Sequence, residues 1–183
     1  ARSILKAERT ALNLIMRMSG IATDTKKFVA IVRTVSKDIK ITGTRKTAPG
    51  LRFFDKKSIE LGGGYAHRNT LDEMIRIKDN HLAVTNSIRE AISMARQKVG
   101  KNIMIECEVS DTKSSVEAIK SGADIIMLDN FSPQQAQETI SYLKKSGLRK
   151  KISVEISGGV NLSNIKEYAY ALPDMISVGS LTH

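Results

Sequence analysis

The sequence contains one cysteine, few aromatic residues and no long hydrophobic run, and each scarcity excludes a class of protein. Cys107 alone can form neither an internal disulfide nor a cysteine cluster for zinc, so we expect a reducing, cytoplasmic location. Tryptophan is absent and aromatic residues make up 4% of the chain, which leaves little for stacking on nucleic-acid bases. No apolar run approaches the roughly 20 residues of a membrane-spanning helix. We therefore expect neither a membrane protein nor a nucleic-acid binder.

Acidic residues are scarce in the first third of the chain. Residues 1–68 contain 15 Lys and Arg against 5 Asp and Glu, whereas residues 69–183 contain 14 of each, so the net charge of +10 arises entirely before residue 69. A basic region suggests an anionic partner, which can be a nucleic acid, a membrane surface or a polyanionic small molecule. We favour the small molecule, and a solvated basic surface remains the simplest alternative for many of the lysines.

A helix-like region over residues 3–35 is followed by alternating strand-like and helix-like segments. This alternation implies parallel strands joined by right-handed crossovers. We predict an α/β fold with a single domain over residues 1–183, an incomplete parallel (β/α) barrel preceded by a long N-terminal helix. Short, evenly spaced strands and the absence of a GxGxxG motif favour it over an open doubly wound sheet. The strand-like runs are IKIT (39–42), EMIRIK (73–78), IMIECEV (103–109), DIIML (124–128), ISVEIS (152–157) and DMISVG (174–179), with helix-like stretches near 54–61, 85–99, 112–121, 132–146 and 161–171.

Carboxylates occur near the ends of two neighbouring predicted strands, which is where such barrels carry their functional residues. Glu106 and Glu108 share one face of IMIECEV, and both point into the barrel if the other face packs against helices. The next strand ends at Asp129. Glu108 and Asp129 together suit Mg²⁺, which binds few protein carboxylates, or acid–base chemistry. For either carboxylate alone, an ordinary polar rim residue is the alternative.

Glycine-rich turns follow the last two predicted strands. Ser157, Gly158 and Gly159 come after the fifth strand, and Gly179 comes at the end of the sixth. Glycine lets backbone N–H groups approach an anion closely, and barrels often bind phosphate at this position. We therefore expect a phosphate here, with an ordinary tight turn as the alternative.

Basic residues follow the earlier strands. Arg45 and Lys46 are adjacent in the segment ITGTRKTAPG, His67 and Arg68 follow a triple glycine, and Lys78 ends IRIK. Taken singly, each is explained by a solvated side chain, an ion pair or a hydrogen-bonded histidine. Their convergence on one rim predicts a site for a small ligand with several carboxylates and phosphates, because arginine binds a carboxylate through two parallel hydrogen bonds.

Eight segments, in order along the whole chain, resemble the quinolinate phosphoribosyltransferase family. This resemblance implies transfer of a phosphoribosyl group from phosphoribosyl pyrophosphate to quinolinate with Mg²⁺, giving nicotinate mononucleotide, pyrophosphate and CO₂ in NAD biosynthesis. TRKT and GGGxxHR are shared with a molybdenum-transport paralogue and with nicotinate phosphoribosyltransferases, and IKDNH favours the quinolinate enzyme. The segments are AERTALNLIMRMSGIAT, TRKTAPGLR, ELGGGYAHR, IRIKDNH, IECEV, ADIIMLDN, EISGGVN and ISVGSLTH.

The resemblance implies a role for each matching residue. Lys46, Lys78, Glu108 and Asp129 are implied to be catalytic, and the two carboxylates are implied to bind Mg²⁺. Arg9 is implied to reach the active site of a neighbouring subunit, so we expect a homodimer at least. The implied substrate-binding residues are Arg9, Thr44, Arg45, Lys46, His67, Arg68, Lys78, Ser157, Gly158, Gly159, Val178, Gly179, Ser180 and His183.

The sequence departs from the usual pattern of the family at Gly43, where Asp is usual, and at Ala66, where Asn is usual. The family also carries an α/β domain before AERT and a short tail after LTH, and we expect both to be absent from this chain. Three alternatives remain: a sister transferase acting on nicotinate or another base, a non-catalytic fragment or paralogue that binds phosphoribosyl ligands, and a nucleic-acid binder.

Overall fold

A computed structural model describes residues 1–85 and 87–182 and contains the predicted alternation of strands and helices. Short 3₁₀ turns at Arg149–Lys151 and Gly179–Leu181 supplement the regular elements. The elements are α1 (Arg2–Arg33), β1 (Lys40–Thr42), α2 (Arg52–Leu61), β2 (Met74–Ile77), α3 (Asp79–Leu82), α4 (Ile88–Val99), β3 (Met104–Val109), α5 (Thr112–Lys120), β4 (Ile125–Asp129), α6 (Pro133–Lys145), β5 (Ser153–Ser157), α7 (Ile165–Ala169) and β6 (Met175–Ser177).

The six strands form one parallel sheet in the order β1-β6-β5-β4-β3-β2. This is the order of a singly wound barrel, but β1 and β2 are the two edges of the sheet and do not pair with each other. The segment before β2 covers the β1 edge, because Tyr65 N–H donates to Ile41 O at 2.8 Å. The prediction of an α/β fold with an incomplete (β/α) barrel and a long N-terminal helix is confirmed.

The two faces of the sheet differ in chemistry. Residues facing the helices are apolar and fully buried, as for Ile105, Cys107 and Val154. The base of the inner face is apolar, because Met74, Ile125 and Met175 form a small cluster there. Above that cluster Met127 is apolar, and most of the other inner side chains are polar. The polar inner residues of β2 to β6 are Arg76, Glu106, Glu108, Asp129, Glu155, Ser157 and Ser177.

The buried apolar residues of helix α1 lie in its second half, and Arg17 in the first half forms an ion pair with Asp55 of α2 at 2.7 Å. Ile21, Phe28, Val29 and Val32 are buried in the second half, whereas the apolar residues nearer the start of the helix, such as Ile15, remain exposed. Within the described residues, no helix is long and apolar enough to cross a membrane.

Candidate active site

Two adjoining cavities, of about 370 and 550 Å³, lie at the carboxyl ends of the strands. The first cavity is lined by five Lys and Arg residues among others, and the second is lined by both predicted glycine turns. Because the cavities share lining residues, they form one elongated site with two parts. The shared residues are Thr44, Lys46, Lys78, Glu108, Asp129, Ser157 and Ser177.

Arg45 is the member of the cationic part whose hydrogen-bonding capacity is most clearly unused. Its Nε is buried and has no hydrogen-bond partner among residues 1–85 and 87–182. A buried donor without a partner is destabilising, so its presence on a cavity wall points to an anionic ligand. The turn that contains Arg45 is stabilised by an internal hydrogen bond, because Lys46 N–H donates to Thr44 Oγ1 at 3.1 Å.

His67 and Arg68 face the same cavity but are held by different partners. His67 has φ of 54°, and its Nε2 lies 2.8 Å from Glu155 Oε2. Arg68 donates from Nε and Nη2 to the carbonyl oxygens of Thr70 and Leu71, both at 2.9 Å. Burial lowers the pKa of Arg68, and the nearby Arg45 lowers it further. Crowding of two arginines is unfavourable unless an anion neutralises them.

Two of the three glycines before these residues, Gly62 and Gly64, are required by close packing. A Cβ at Gly62 would come within 2.6 Å of Thr25 Cβ in α1, and a Cβ at Gly64 would come within 2.9 Å of Ile41 O in β1. The glycines therefore let the chain pass between α1 and β1 before it reaches the cavity.

A buried polar network lies directly below the cavity. Ser177 Oγ donates to Glu155 Oε1 at 2.5 Å, and Arg76 Nε donates to Glu106 Oε2 at 2.5 Å. Burial opposes the ionisation of Glu155, but the hydrogen bond and charge of His67, together with Arg76, lower its pKa. Burial and the Glu155 charge instead raise the pKa of Glu106 to about 8. The pKa values of these two neighbouring carboxyls are therefore shifted in opposite directions.

Glu108 and Asp129 lie on the inner face near the ends of adjacent strands β3 and β4. Lys78 Nζ is 2.7 Å from Glu108 Oε1, and Asn130 Nδ2 donates to Asp129 Oδ2 at 2.8 Å. Each carboxylate thus keeps an oxygen without a partner in these contacts. Oxygen ligands of this kind fit Mg²⁺, which binds few protein carboxylates and completes its shell with water and phosphate.

The second part of the site contains the glycine turn after β5. Gly158 and Gly159 have φ of 93° and 63°, and a Cβ at Gly158 would collide with Asn130. Only glycine therefore fits this turn. In the described part of the chain, the N–H groups of both glycines donate to no other residue. Gly179 and Ser180 face the same cavity. Free N–H groups and a basic rim suit a phosphate.

Three residues of the predicted set lie apart from the cavity or cannot be described. Arg9 is exposed on α1 and does not line either cavity. The Val178 side chain is fully buried, its N–H donates to Thr42 O at 2.8 Å, and it lines neither cavity. His183 falls outside the described residues.

Sequence reasoning missed several lining residues, among them Arg76, Met127, Asn130 and Ser177. A signal existed for Arg76, which is two positions before Lys78 and so shares its face of β2. The same alternation applies to Ser177 in β6. Asn130 carried a different signal, because asparagine tolerates the left-handed φ of 56° that it adopts at the end of β4.

The chain is similar to known proteins along its entire length. It is 45% identical to the "Probable nicotinate-nucleotide pyrophosphorylase (carboxylating)" of Archaeoglobus fulgidus, over 99% of this chain and 69% of that protein. It is 38% identical to the rat nicotinate-nucleotide pyrophosphorylase (carboxylating), over 100% of this chain and 60% of that protein. It therefore spans about two thirds of the length of these curated relatives.

Solved structures agree with the sequence matches. The crystal structure of NadC from Streptococcus pyogenes superposes with a TM-score of 0.91 at 39% identity, covering 100% of this chain and 62% of that one. A family model described as the quinolinate phosphoribosyl transferase C-terminal domain matches residues 21–183. The chain therefore belongs to the quinolinate phosphoribosyltransferase family and corresponds to its C-terminal domain.

Proposed function

We propose that this chain is the catalytic domain of an enzyme that transfers a phosphoribosyl group from phosphoribosyl pyrophosphate to quinolinate and decarboxylates the product. The observation that carries the proposal is the division of the site into two parts. A cationic part contains the unpaired Arg45 Nε, and a glycine-rich part contains unpaired backbone donors. A pyridine dicarboxylate suits the first part, and a sugar phosphate suits the second.

The proposed reaction has two steps. First, the quinolinate ring nitrogen bonds to ribose C1 while the bond from C1 to the pyrophosphate oxygen breaks, and pyrophosphate leaves with the electron pair. Glu108 and Asp129, at the junction of the two parts, stabilise the positive charge that develops on the ribose.

In the second step, the bond from ring C2 to its carboxylate breaks. CO₂ leaves, the electron pair stays on C2, and a proton then adds there to give nicotinate mononucleotide. The positively charged ring nitrogen draws in this electron pair. Lys46 and Lys78 line both cavities, and their fixed charges stabilise the carbanion.

Mg²⁺ is part of the proposal, with Glu108 and Asp129 as its protein ligands. When bound, the ion would neutralise charge on the pyrophosphate leaving group. The donor set supports the assignment, since both residues are carboxylates with an oxygen to spare on the wall shared by the two cavities.

We further propose that the enzyme is a cytoplasmic homodimer in which Arg9 completes the partner's site. Arg9 is exposed on α1, and Ile15 and Met16 on the same helix are exposed apolar residues that a second copy would cover. Complementation tests this arrangement. Arg9→Ala and Lys78→Met proteins, each of low activity, should regain activity when mixed, because one of the two sites in a mixed dimer is intact. No recovery after verified subunit exchange would contradict it.

The decisive experiment measures the loss of quinolinate by the full-length protein. Turnover should require quinolinate, phosphoribosyl pyrophosphate and Mg²⁺ together, and should release CO₂ in equal amount. Turnover with nicotinate but not with quinolinate would identify a sister transferase instead. Affinity for nucleic acid with a steep salt dependence, undisturbed by quinolinate, would indicate a nucleic-acid binder.

A further inference from the structure

A buried lysine outside the cavity connects two of the loops that line it. Lys56 on α2 is 4% exposed. Its Nζ donates to Gly43 O at 3.1 Å and to Ala66 O at 2.5 Å. Gly43 immediately precedes residues 44–46, and Ala66 immediately precedes residues 67–68. A single ammonium group therefore joins the two segments that carry most of the basic side chains of the site.

The position is unfavourable for a charged side chain. Burial lowers the pKa of Lys56 to about 8, although Glu155 and Glu73 favour its charged form, and Arg52 and Arg76 oppose that form. An apolar side chain of the same length would avoid the cost of desolvation. Packing of α2 alone therefore does not explain a lysine here, whereas the two carbonyl oxygens do.

The segment after Ala66 particularly needs restraint. His67 has φ of 54°, which is rare for a residue with a side chain and persists only when the surroundings enforce it. The hydrogen bond from Lys56 Nζ to Ala66 O holds the peptide group before His67. The contact with Glu155 Oε2 holds the imidazole ring of His67. The backbone and the ring are thus restrained separately.

Building on the function proposed above, we propose that Lys56 is a positioning residue that sets the separation between the two cation-bearing loops. Two carboxylates on one rigid pyridine ring demand a fixed separation of the cations that bind them. Lys56 does not line the cavity, so it acts through the Gly43 and Ala66 carbonyls. None of its hydrogen bonds in the described structure reaches the glycine turns at 157–159 and 179–180. Its loss should therefore weaken quinolinate binding far more than phosphoribosyl pyrophosphate binding.

The test replaces Lys56 with methionine, which keeps the length of the side chain but removes its donors. Lys57→Met is the matched control, because Lys57 is adjacent on the same helix, is exposed and forms a surface ion pair with Glu60. In the full-length protein, Lys56→Met should weaken quinolinate binding by about tenfold or more, the scale expected for lost hydrogen bonds from a charged group. The KM for phosphoribosyl pyrophosphate should stay near its wild-type value, and Lys57→Met should change neither.

Hydrogen exchange by mass spectrometry supplies a readout that does not depend on activity. Lys56→Met should speed exchange in both residues 43–47 and residues 65–69, while β3 and β4 stay protected. Unchanged exchange in these loops, or wild-type quinolinate affinity, overturns the inference. A wild-type protein that binds no quinolinate contradicts the proposed function instead, and the exchange data still report on the Lys56 contacts. If Lys56→Met does not fold, Lys56→Gln, whose shorter side chain cannot reach both carbonyls, should show the same selective loss.

Discussion

Lys78 and Glu108 form an ion pair between the ends of neighbouring strands, with 2.7 Å between Nζ and Oε1. Parallel pairing of β2 with β3 places both side chains on the inner face, at the carboxyl ends of the strands. The carboxylate that we assign to Mg²⁺ therefore has a lysine as a competing partner, and substrate binding and metal binding meet at this contact.

Lys78→Met should accordingly tighten metal binding while it slows turnover. Removing the competing ammonium from a partly exposed pair should lower the Kd for Mn²⁺, used as a probe for Mg²⁺, by roughly two- to fivefold. Electron paramagnetic resonance of free Mn²⁺ measures this change. Exposed Lys113→Met removes the same charge nearby on α5 and is the control. Weaker Mn²⁺ binding in Lys78→Met would show that Lys78 does not compete with the ion.

Arg45→Lys should distinguish charge from geometry in the cationic part of the site. Lysine keeps the positive charge but cannot form two parallel hydrogen bonds to one carboxylate, so we expect quinolinate affinity to fall by about tenfold or more. Calorimetric titration gives the affinity, and exposed Arg33→Lys on α1 is the control. Unchanged affinity would mean that the unpaired Arg45 Nε serves some group other than a quinolinate carboxylate.

Glu106 should make the folded protein less stable as the pH rises. Its pKa is raised from 4.5 when unfolded to about 8 when folded, so the native state retains a proton that the unfolded state has released between these values. This contribution to the free energy of unfolding is fully present below pH 4.5 and is lost as pH rises toward 8, by up to about 5 kcal/mol. Urea denaturation at several pH values measures how the free energy of unfolding changes with pH. The decrease with rising pH should be smaller in Glu106→Gln than in the wild-type protein. Exposed Glu138→Gln should keep it, and an unchanged slope in Glu106→Gln would show that Glu106 is ionised in the native state.

Gly43 should tolerate a side chain only if Ile59 becomes smaller. A Cβ at Gly43 would collide with Cδ1 of the fully buried Ile59. Gly43→Ala should therefore destabilise the protein by about 1–3 kcal/mol. Ile59→Val removes that methyl group, so the double variant should be about as stable as Ile59→Val alone. Additive losses in a double-mutant cycle would show that the cost arises elsewhere. The same contact explains why the aspartate usual in the family has no room here.

Much of the fold and of the site followed from local pattern. The alternation in IMIECEV correctly assigned Cys107 to the helix-facing side and Glu106 and Glu108 to the interior, because side-chain direction along a strand is a property of the strand itself. Parallel strands have their carboxyl ends on the same side of the barrel. Arg45 and Asp129 could therefore be expected near each other, although 84 positions separate them in the sequence.

Other features could not be derived in this way. Lys56 and Lys57 are adjacent on one helix and look alike in the sequence, yet the first is buried beneath two loops and the second pairs with Glu60 in solvent. The opposite pKa shifts of Glu106 and Glu155 depend on which of them His67 contacts. Both distinctions arise from neighbours that are remote along the chain.

The sequence by itself determined the order of strands and helices, the end of the barrel that carries the site, and the charge of its parts, because periodicity and strand direction are local properties. Only the tertiary structure decided which two strands the incomplete barrel leaves unpaired, the opposite pKa shifts of Glu106 and Glu155, and the burial of Lys56 beneath two loops. The pKa shifts, for example, depend on the contact of His67 Nε2 with Glu155 Oε2, 88 positions apart, which forms only when the sheet is assembled.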